Sequence, residues 1–177
     1  HGFVRMTHQS NNLIVRPDGK LCLGSRVMTC ALGKGGRQTE KIEGDGVSPV
    51  GSWVLQKIYY RPDRMAAPVS ALPVIALSPN DGWCDDPAHP DYNKFVTLPH
   101  TASCENLWRE DHVYDVIITL DHNSNPVVPG AGSAIFFHLA RENFAPTEGC
   151  AAVPLEDMLY VLGRITPGCR MEITAAN

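Results

Sequence analysis

Long apolar runs are missing from this chain. The longest, "YDVIITL" and "SAIFF", fall far short of the roughly 20 residues that a bilayer-spanning helix needs, so no membrane span is expected. Charge of one sign never collects in blocks. The 19 acidic residues outnumber the 15 basic ones for a net charge of −4, which argues against a nucleic-acid or anionic-membrane surface. The CxxC and HExxH spacings are absent too, so zinc has little support, and no metal and no cofactor are expected. "GKGG" (33–36) lacks the G-x-x-x-x-G-K-[ST] order and the following helix of a phosphate loop. The opening residues are mostly polar and form no hydrophobic leader, as in a cytosolic chain or a trimmed mature form; His1 and Gly2 are assigned no role. Repeats and low-complexity tracts are absent.

What is present suits one domain over residues 1–177, long enough to bury a sizeable core. Six cysteines (Cys22, Cys30, Cys84, Cys104, Cys150 and Cys169) are many for a cytosolic protein of this size and few for a disulfide scaffold. A Cys84–Cys104 bond would close an irregular loop, but sequence alone leaves the pairing open.

Short β patterns dominate. "NLIVR", the turn quartet "PDGK" and "LCLG" read as a hairpin, followed by a strand in "RVMTCALG". Residues 33–52, rich in glycine and charge, read as loop, and "WVLQKIYY" resumes strand character. From Arg61 to His100 the density of proline predicts a long loop insert, a lid or a surface excursion. "VYDVIITL" and "SAIFFHLA" read as buried central strands. After Pro154, Leu155, Met158, Leu159 and Leu162 recur at i, i+3, i+4 and i+7, the stripe of an amphipathic helix, with Glu156 and Asp157 in its first turn. "RMEI" closes as a last strand. The fold class is mainly β with one C-terminal helix and a long proline-rich insert.

The chemistry lies in residues 135–154, "IFFHLARENFAPTEGCAAVP". A free thiol, with an ordinary pKa of about 8.5, is mostly protonated at neutral pH. An imidazole at hydrogen-bond distance stabilises the thiolate and later hands its proton to a leaving amine. His138 ends an apolar strand. Cys150 follows Gly149 in a stretch of small residues, where the N–H groups of Gly149 and Cys150 are candidate oxyanion donors. From residue chemistry alone a satisfied core histidine and a buried thiol are the commoner reading, and the catalytic one stays open beside it.

The order "IFFH…PTEGCAAVPLEDMLYVLGRITPGCRMEI" resembles the catalytic core of the L,D-transpeptidases, the YkuD-type family. There an H-G or H-S pair ends a strand, an [S/T]-x-G-C segment carries the nucleophile, and a helix and a final "G-T-x-V-x-I" strand follow. Upstream, "EGDGVSPVGSW" resembles that family's [T/S]-P-x-G-x-[F/W] stretch. Together these anchor the chain from about Leu13 to Ile173.

The resemblance implies a β-sandwich or barrel-like sheet pair. It makes Cys150 the nucleophile and His138 the base, with the carbonyl of Leu139 orienting the ring and Thr147 and Gly149 shaping the site. It implies peptidoglycan stem peptides as substrates: the cysteine attacks the carbonyl of the third residue, expels the terminal D-alanine, and passes the acyl group to an amine of a second stem or to water. It also implies carbapenem β-lactams as covalent inhibitors and a periplasmic or cell-wall location. Three departures stand out. Glu148 replaces the common His, and its carboxylate either turns away from the sulfur or meets a substrate ammonium. Ala152 replaces an Asn or Arg, for which Arg141 is the candidate substitute. The His-to-Cys connection is shorter than in most members.

Other residues have two readings each. Trp83 and Tyr92, with Asp85 and Asp86, form either a cleft wall that attracts a cationic side chain or an ordered surface loop. Arg109 either binds a substrate carboxylate or pairs with Glu105 or Asp111. His122 follows a central strand, as a site residue or as part of a turn-forming Asx cluster.

Overall fold

The computed structural model describes residues 11–177; His1 and Gly2 lie outside them. The first hairpin pairs β1 (Leu13–Val15) with β2 (Leu21–Leu23). Its turn closes through the Gly19 N–H on the Arg16 carbonyl, and Gly19 takes the left-handed φ of +88° that this turn requires. β3 (Arg26–Met28) adds to β2. The longest strand, β6 (Gly51–Tyr60), pairs through its first half with β14 (Arg170–Ile173) and through its second with β11 (Val116–Leu120). β12 (Phe136–Leu139) lies beside β11, and β13 (Ala151–Val153) runs parallel to β12.

These strands form one sheet in the order β13-β12-β11-β6-β14-β1-β2-β3, with β7 (Val74–Ala76) on the far end of β6. The sheet almost closes on itself. Just past β3, Ala31 exchanges both backbone hydrogen bonds with Ala152 of β13, at 2.8 and 3.0 Å. This seam continues to Gly33, where an added Cβ would lie 2.2 Å from the Gly46 carbonyl oxygen, so only glycine passes there. The mainly β, barrel-like expectation with one helix stands.

The proline-rich region is more ordered than its composition suggests. It contributes β7, β8 (Asp81–Cys84) and β9 (Phe95–Thr97), and the last two join β10 (Cys104–Asn106) in a separate antiparallel sheet ordered β10-β8-β9. The reading of one long loop is corrected here: every proline from 61 to 100 falls in a connection, so no strand loses a ladder donor. Residues 33–52 likewise hold a short parallel pair, β4 (Arg37–Gln38) and β5 (Ser48–Pro49).

The helix α1 (Leu155–Leu162) forms with Pro154 as its N-cap. It buries Met158, Val161 and Leu162, whereas Leu155 and Leu159 stay 45% and 47% exposed. The buried stripe is thus rotated from the expected one, because Val161 rather than Leu159 faces the barrel.

Two apolar cores result. One fills the barrel with Leu13, Leu21, Ile58, Ile118, Phe137, Val153, Met158 and Met171 among others. The second packs Tyr59, Leu77, Leu107, Tyr114, Ile117, Phe136 and Cys150 on the outer face of the wall, with Trp83 of the small sheet against it. Burial of each large side chain contributes on the order of 2 kcal/mol. β11 and β12 carry an apolar residue at nearly every position because both their faces are covered.

Candidate functional site

Strand parity decides which side chains meet. Along β12, Ile135, Phe137 and Leu139 point into the barrel core, whereas Ala134 and Phe136 belong to the outer core. His138 shares their parity. On β13, Ala151 and Val153 enter the barrel and Cys150 goes outward. The parallel register sets Phe137 beside Ala151 and His138 beside Ala152. Cys150 therefore lies level with Phe136, one same-face step from His138, or about 7 Å along the strand axis. Both side chains line one cavity of about 300 Å³.

The Cys150 thiol is buried. Its Sγ accepts the Phe136 N–H at 3.3 Å and donates to the Ala134 carbonyl at 3.2 Å. Ala134 holds a φ of +54°, uncommon for a residue with a Cβ, and this turns its carbonyl toward the sulfur. Burial pushes the thiol up to about 12; the Phe136 N–H and the ammonium of Lys41 oppose the shift, and the carboxylates of Glu105 and Glu148 add to it.

His138 Nδ1 lies 2.9 Å from the Leu139 carbonyl, an acceptor, so Nδ1 carries the hydrogen and Nε2 keeps the lone pair. Burial pushes the imidazole down to about 4 against the help of that bond, and the guanidinium groups of Arg141 and Arg109 push the same way. No hydrogen bond joins it to the Cys150 sulfur. The resting site is a neutral thiol and a neutral imidazole, not the ion pair expected from the two residues. The edge of Tyr114 packs on the His138 ring with centroids 5.3 Å apart, and the Tyr114 hydroxyl donates to Glu105.

The connection before Cys150 is built from side chain-to-backbone bonds. Thr147 Oγ1 donates to the Cys150 carbonyl at 2.6 Å and accepts the Gly149 N–H at 3.1 Å. That second bond corrects one expectation: the Gly149 N–H is already taken and is no oxyanion donor, which leaves the Cys150 N–H. Gly149 has a φ of +139°, and a Cβ there would stand 2.8 Å from the Val47 carbonyl. Ser48, fully buried, accepts the Gly33 N–H at 2.9 Å and donates to the Gly149 carbonyl at 2.7 Å. The "SPVG" stretch thus touches the site through this one hydroxyl.

Polar groups ring the cavity. Glu43, Asp85, Glu105 and Glu148 supply acid, and Lys41, Arg109 and Arg141 supply base. Glu148 turns outward to Lys34, 3.0 Å away, rather than toward the sulfur. Arg109 lines the cavity and pairs with Asp111 at 2.6 Å, one of the two local partners named in its second reading. Lys41, Glu105 and Tyr114 also line the cavity, and the sequence carries no sign of them as site residues. They lie on distant segments, and no local pattern marks them.

Trp83, Tyr92 and His122, read from sequence as substrate contacts, do not line this cavity. Trp83 donates to the Asn93 side chain at 2.9 Å and packs edge-on against Phe136, behind the wall. Tyr92 is buried, donating to Glu43 at 2.7 Å and accepting the Gly132 N–H. It supports the cavity through Glu43. His122 packs edge-on against Trp53, and burial pushes it down to about 4. Asp86 also lies off the cavity, whereas Asp85 lines it.

Among the described residues, His89, Asp91 and His100 bring possible metal-ligand atoms within 4.8 Å of one another. His89 Nδ1 accepts the Asp91 N–H and His100 Nδ1 accepts the Ala102 N–H, each at 3.0 Å. With Nδ1 accepting, each ring carries its hydrogen on Nε2, and His100 points it at Asp91, 2.9 Å away. The chemistry is that of a loop clasp, since a cation on either ring nitrogen would leave Nδ1 unable to accept and cost that ring its backbone bond.

Two outcomes follow for stability. Ser48→Ala removes a donor and an acceptor at once, so unfolding free energy should fall by about 2 kcal/mol, read from the urea midpoint at constant m. An unchanged midpoint would show that Gly149 does not depend on that hydroxyl. His138 and His122 are held neutral in the fold, below the ordinary 6.5 of the unfolded chain, so their contribution is complete above about pH 6.5 and is lost as pH falls toward 4. The loss for His138 is on the order of 3 kcal/mol. His122→Phe should flatten the pH 4–6.5 limb of stability; a limb of unchanged slope would contradict the assignment.

Comparison with known proteins identifies the family. A sequence model described as the L,D-transpeptidase catalytic domain (YkuD) matches residues 6–173, nearly the whole chain. Neither a curated protein nor a solved structure matches.

Proposed function

Because this chain belongs to the YkuD family of L,D-transpeptidase catalytic domains, we propose that it cross-links peptidoglycan stem peptides through a thioester on Cys150. The observation that supports this reading is the placement of Cys150 and His138 on one face of a parallel strand pair, both opening on the same cavity.

In the proposed reaction the carbonyl of the third stem residue enters the cavity beside Cys150. Sγ attacks it as His138 Nε2 takes the thiol proton, the thiol turning away from the Ala134 carbonyl. The oxyanion takes the Cys150 N–H. His138 then gives its proton to the departing amine of D-alanine, and the C–N bond breaks to leave the thioester. The side-chain amine of a second stem attacks next. His138 removes its proton and returns it to the sulfur as the C–S bond breaks. Acyl transfer is complete and the enzyme is unchanged.

The cavity charges suit two zwitterionic partners. Glu43, Asp85 and Glu105 attract an ammonium, and Arg141 and Arg109 meet carboxylates, which gives Arg141 the anchoring role that Ala152 does not fill. Carbapenems would acylate the same sulfur. The substrate puts this work outside the cytoplasmic membrane, in the periplasm or cell wall. Among the described residues no helix is long and apolar enough to cross a membrane.

Mass spectrometry of purified stem tetrapeptides incubated with the wild type and with Cys150→Ala tests the reading. Cross-linked dimers from the wild type alone are expected. Tripeptides without dimers would replace transfer with hydrolysis, and unchanged substrate would sink both. The neutral resting pair makes a second prediction. Alkylation of Cys150 by iodoacetamide, followed on its own peptide, should keep accelerating from pH 7 to 10, since its thiol is pushed up to about 12. A plateau below pH 7 would reveal a preformed thiolate and overturn the concerted proton transfer.

A further inference from the structure

The small sheet outside the barrel sets two thiols face to face. In its β8–β10 pairing Cys84 stands directly opposite Cys104. The Cys84 N–H and carbonyl are both used on the other side, donating to Lys94 at 3.0 Å and accepting from Asn93 at 2.8 Å. The next bond of the β8–β10 ladder runs from the Asp85 N–H to the Ser103 carbonyl, at 3.1 Å. Cys84 and Cys104 therefore occupy a non-hydrogen-bonded position of the antiparallel ladder, where opposed Cα atoms approach to about 4.5 Å and side chains leave on the same face. That spacing lies inside the range a disulfide spans, about 4.4 to 6.8 Å. Both cysteines are thiols in this structure.

Their surroundings differ in a way that orders a reaction. Cys84 is fully buried and Cys104 is partly exposed. Cys104 immediately precedes Glu105, and Cys84 immediately precedes Asp85, the two carboxylates that this sheet contributes to the cavity. Asp85 is further tied to β10 by the Ser103 hydroxyl at 2.7 Å.

We propose that Cys84 and Cys104 form a disulfide that staples the small sheet and fixes its acidic wall against the barrel. The oxidant is a low-molecular-weight disulfide. The Cys104 thiolate, having lost its proton to solvent, attacks one sulfur of that disulfide and releases one thiol, leaving a mixed disulfide on Cys104. The Cys84 thiolate then attacks the Cys104 sulfur and releases the second thiol. Two protein thiols are oxidised, one external disulfide is reduced, and both protons appear on the released thiols. Burial pushes the Cys104 thiol up to about 11, so the exchange quickens as pH rises. The inference draws on neither Cys150 nor His138, and it stands or falls apart from the proposed reaction.

The test uses the full chain carrying Cys150→Ala, incubated with oxidised glutathione at about pH 8.5, near the ordinary thiol pKa. Intact mass should drop by two hydrogens, and peptide mapping should link the peptides that hold Cys84 and Cys104. Amides of residues 81–106 should then exchange with deuterium about tenfold more slowly than in the reduced protein. Adding Cys104→Ser should abolish both changes. A stable glutathione adduct on Cys104 with Cys84 still alkylatable after denaturation would overturn the proposal, as would a linked protein whose exchange is unchanged.

Discussion

A strand buried on both faces has no solvent side, and β12 is such a strand. Its inner residues Phe137 and Leu139 fill the barrel, so Phe136 and His138 have to sit under other structure on the outside. A slip of one residue would send the imidazole into the barrel core and two aromatic or aliphatic side chains outward, at a cost of several buried side chains, each worth about 2 kcal/mol. The register that holds His138 outward is therefore held by hydrophobic burial, not by any polar contact of its own. β13 obeys the same constraint, and its parallel pairing with β12 leaves Cys150 on the same outer face. Every later feature of the site inherits that placement.

The burial that secures the geometry also sets the charge state. Removing Cys150 and His138 from water disfavours the thiolate and the imidazolium alike, so the thiol rises and the imidazole falls. A resting ion pair is not the ground state of this site. The Phe136 N–H and the Lys41 ammonium nevertheless lie where they favour negative charge on sulfur. Lys41 is itself held by Asp45 at 2.5 Å, which keeps its buried charge compensated. Under the proposed reaction these groups act as the proton leaves, and the resting enzyme keeps an unreactive thiol.

Legibility in the sequence followed the range of the cause. Local causes were readable: the hairpin around Gly19, the apolar runs of β11 and β12, and the helix after Pro154. So was the shared character of residues 138–150, because residue types and order carry it. Mid-range causes are less legible. Proline density hid β7, β8 and β9, since composition counts prolines without noticing that they lie between strands. The helix stripe counted from Leu155 includes Leu159, whereas packing against the barrel selects Val161. Long-range causes left no signal. Lys41, Glu105 and Tyr114 reach the cavity from three separate segments, while Trp83, Tyr92 and His122, suggestive by type, serve the packing around it.

The path from β12 to β13 raises a backbone accounting problem that the seam solves. Parallel neighbours need a crossover, usually a dozen or more residues with a helix that satisfies its own backbone groups. Here the connection is residues 140–150, with only a single 3-10 turn at Glu142–Phe144. It turns sharply through Asn143 and Phe144, both at positive φ. Several of its polar groups find partners outside itself. The Thr147 N–H donates to Leu32 and its carbonyl accepts from Lys34, while Ser48 takes the Gly149 carbonyl. The segment 31–34 therefore does two jobs with one set of bonds: it closes the barrel against Ala152, and it substitutes for the missing crossover helix. That is why a loop far upstream governs the position of the residue just before Cys150, and why the shortness of this connection is tolerated at all.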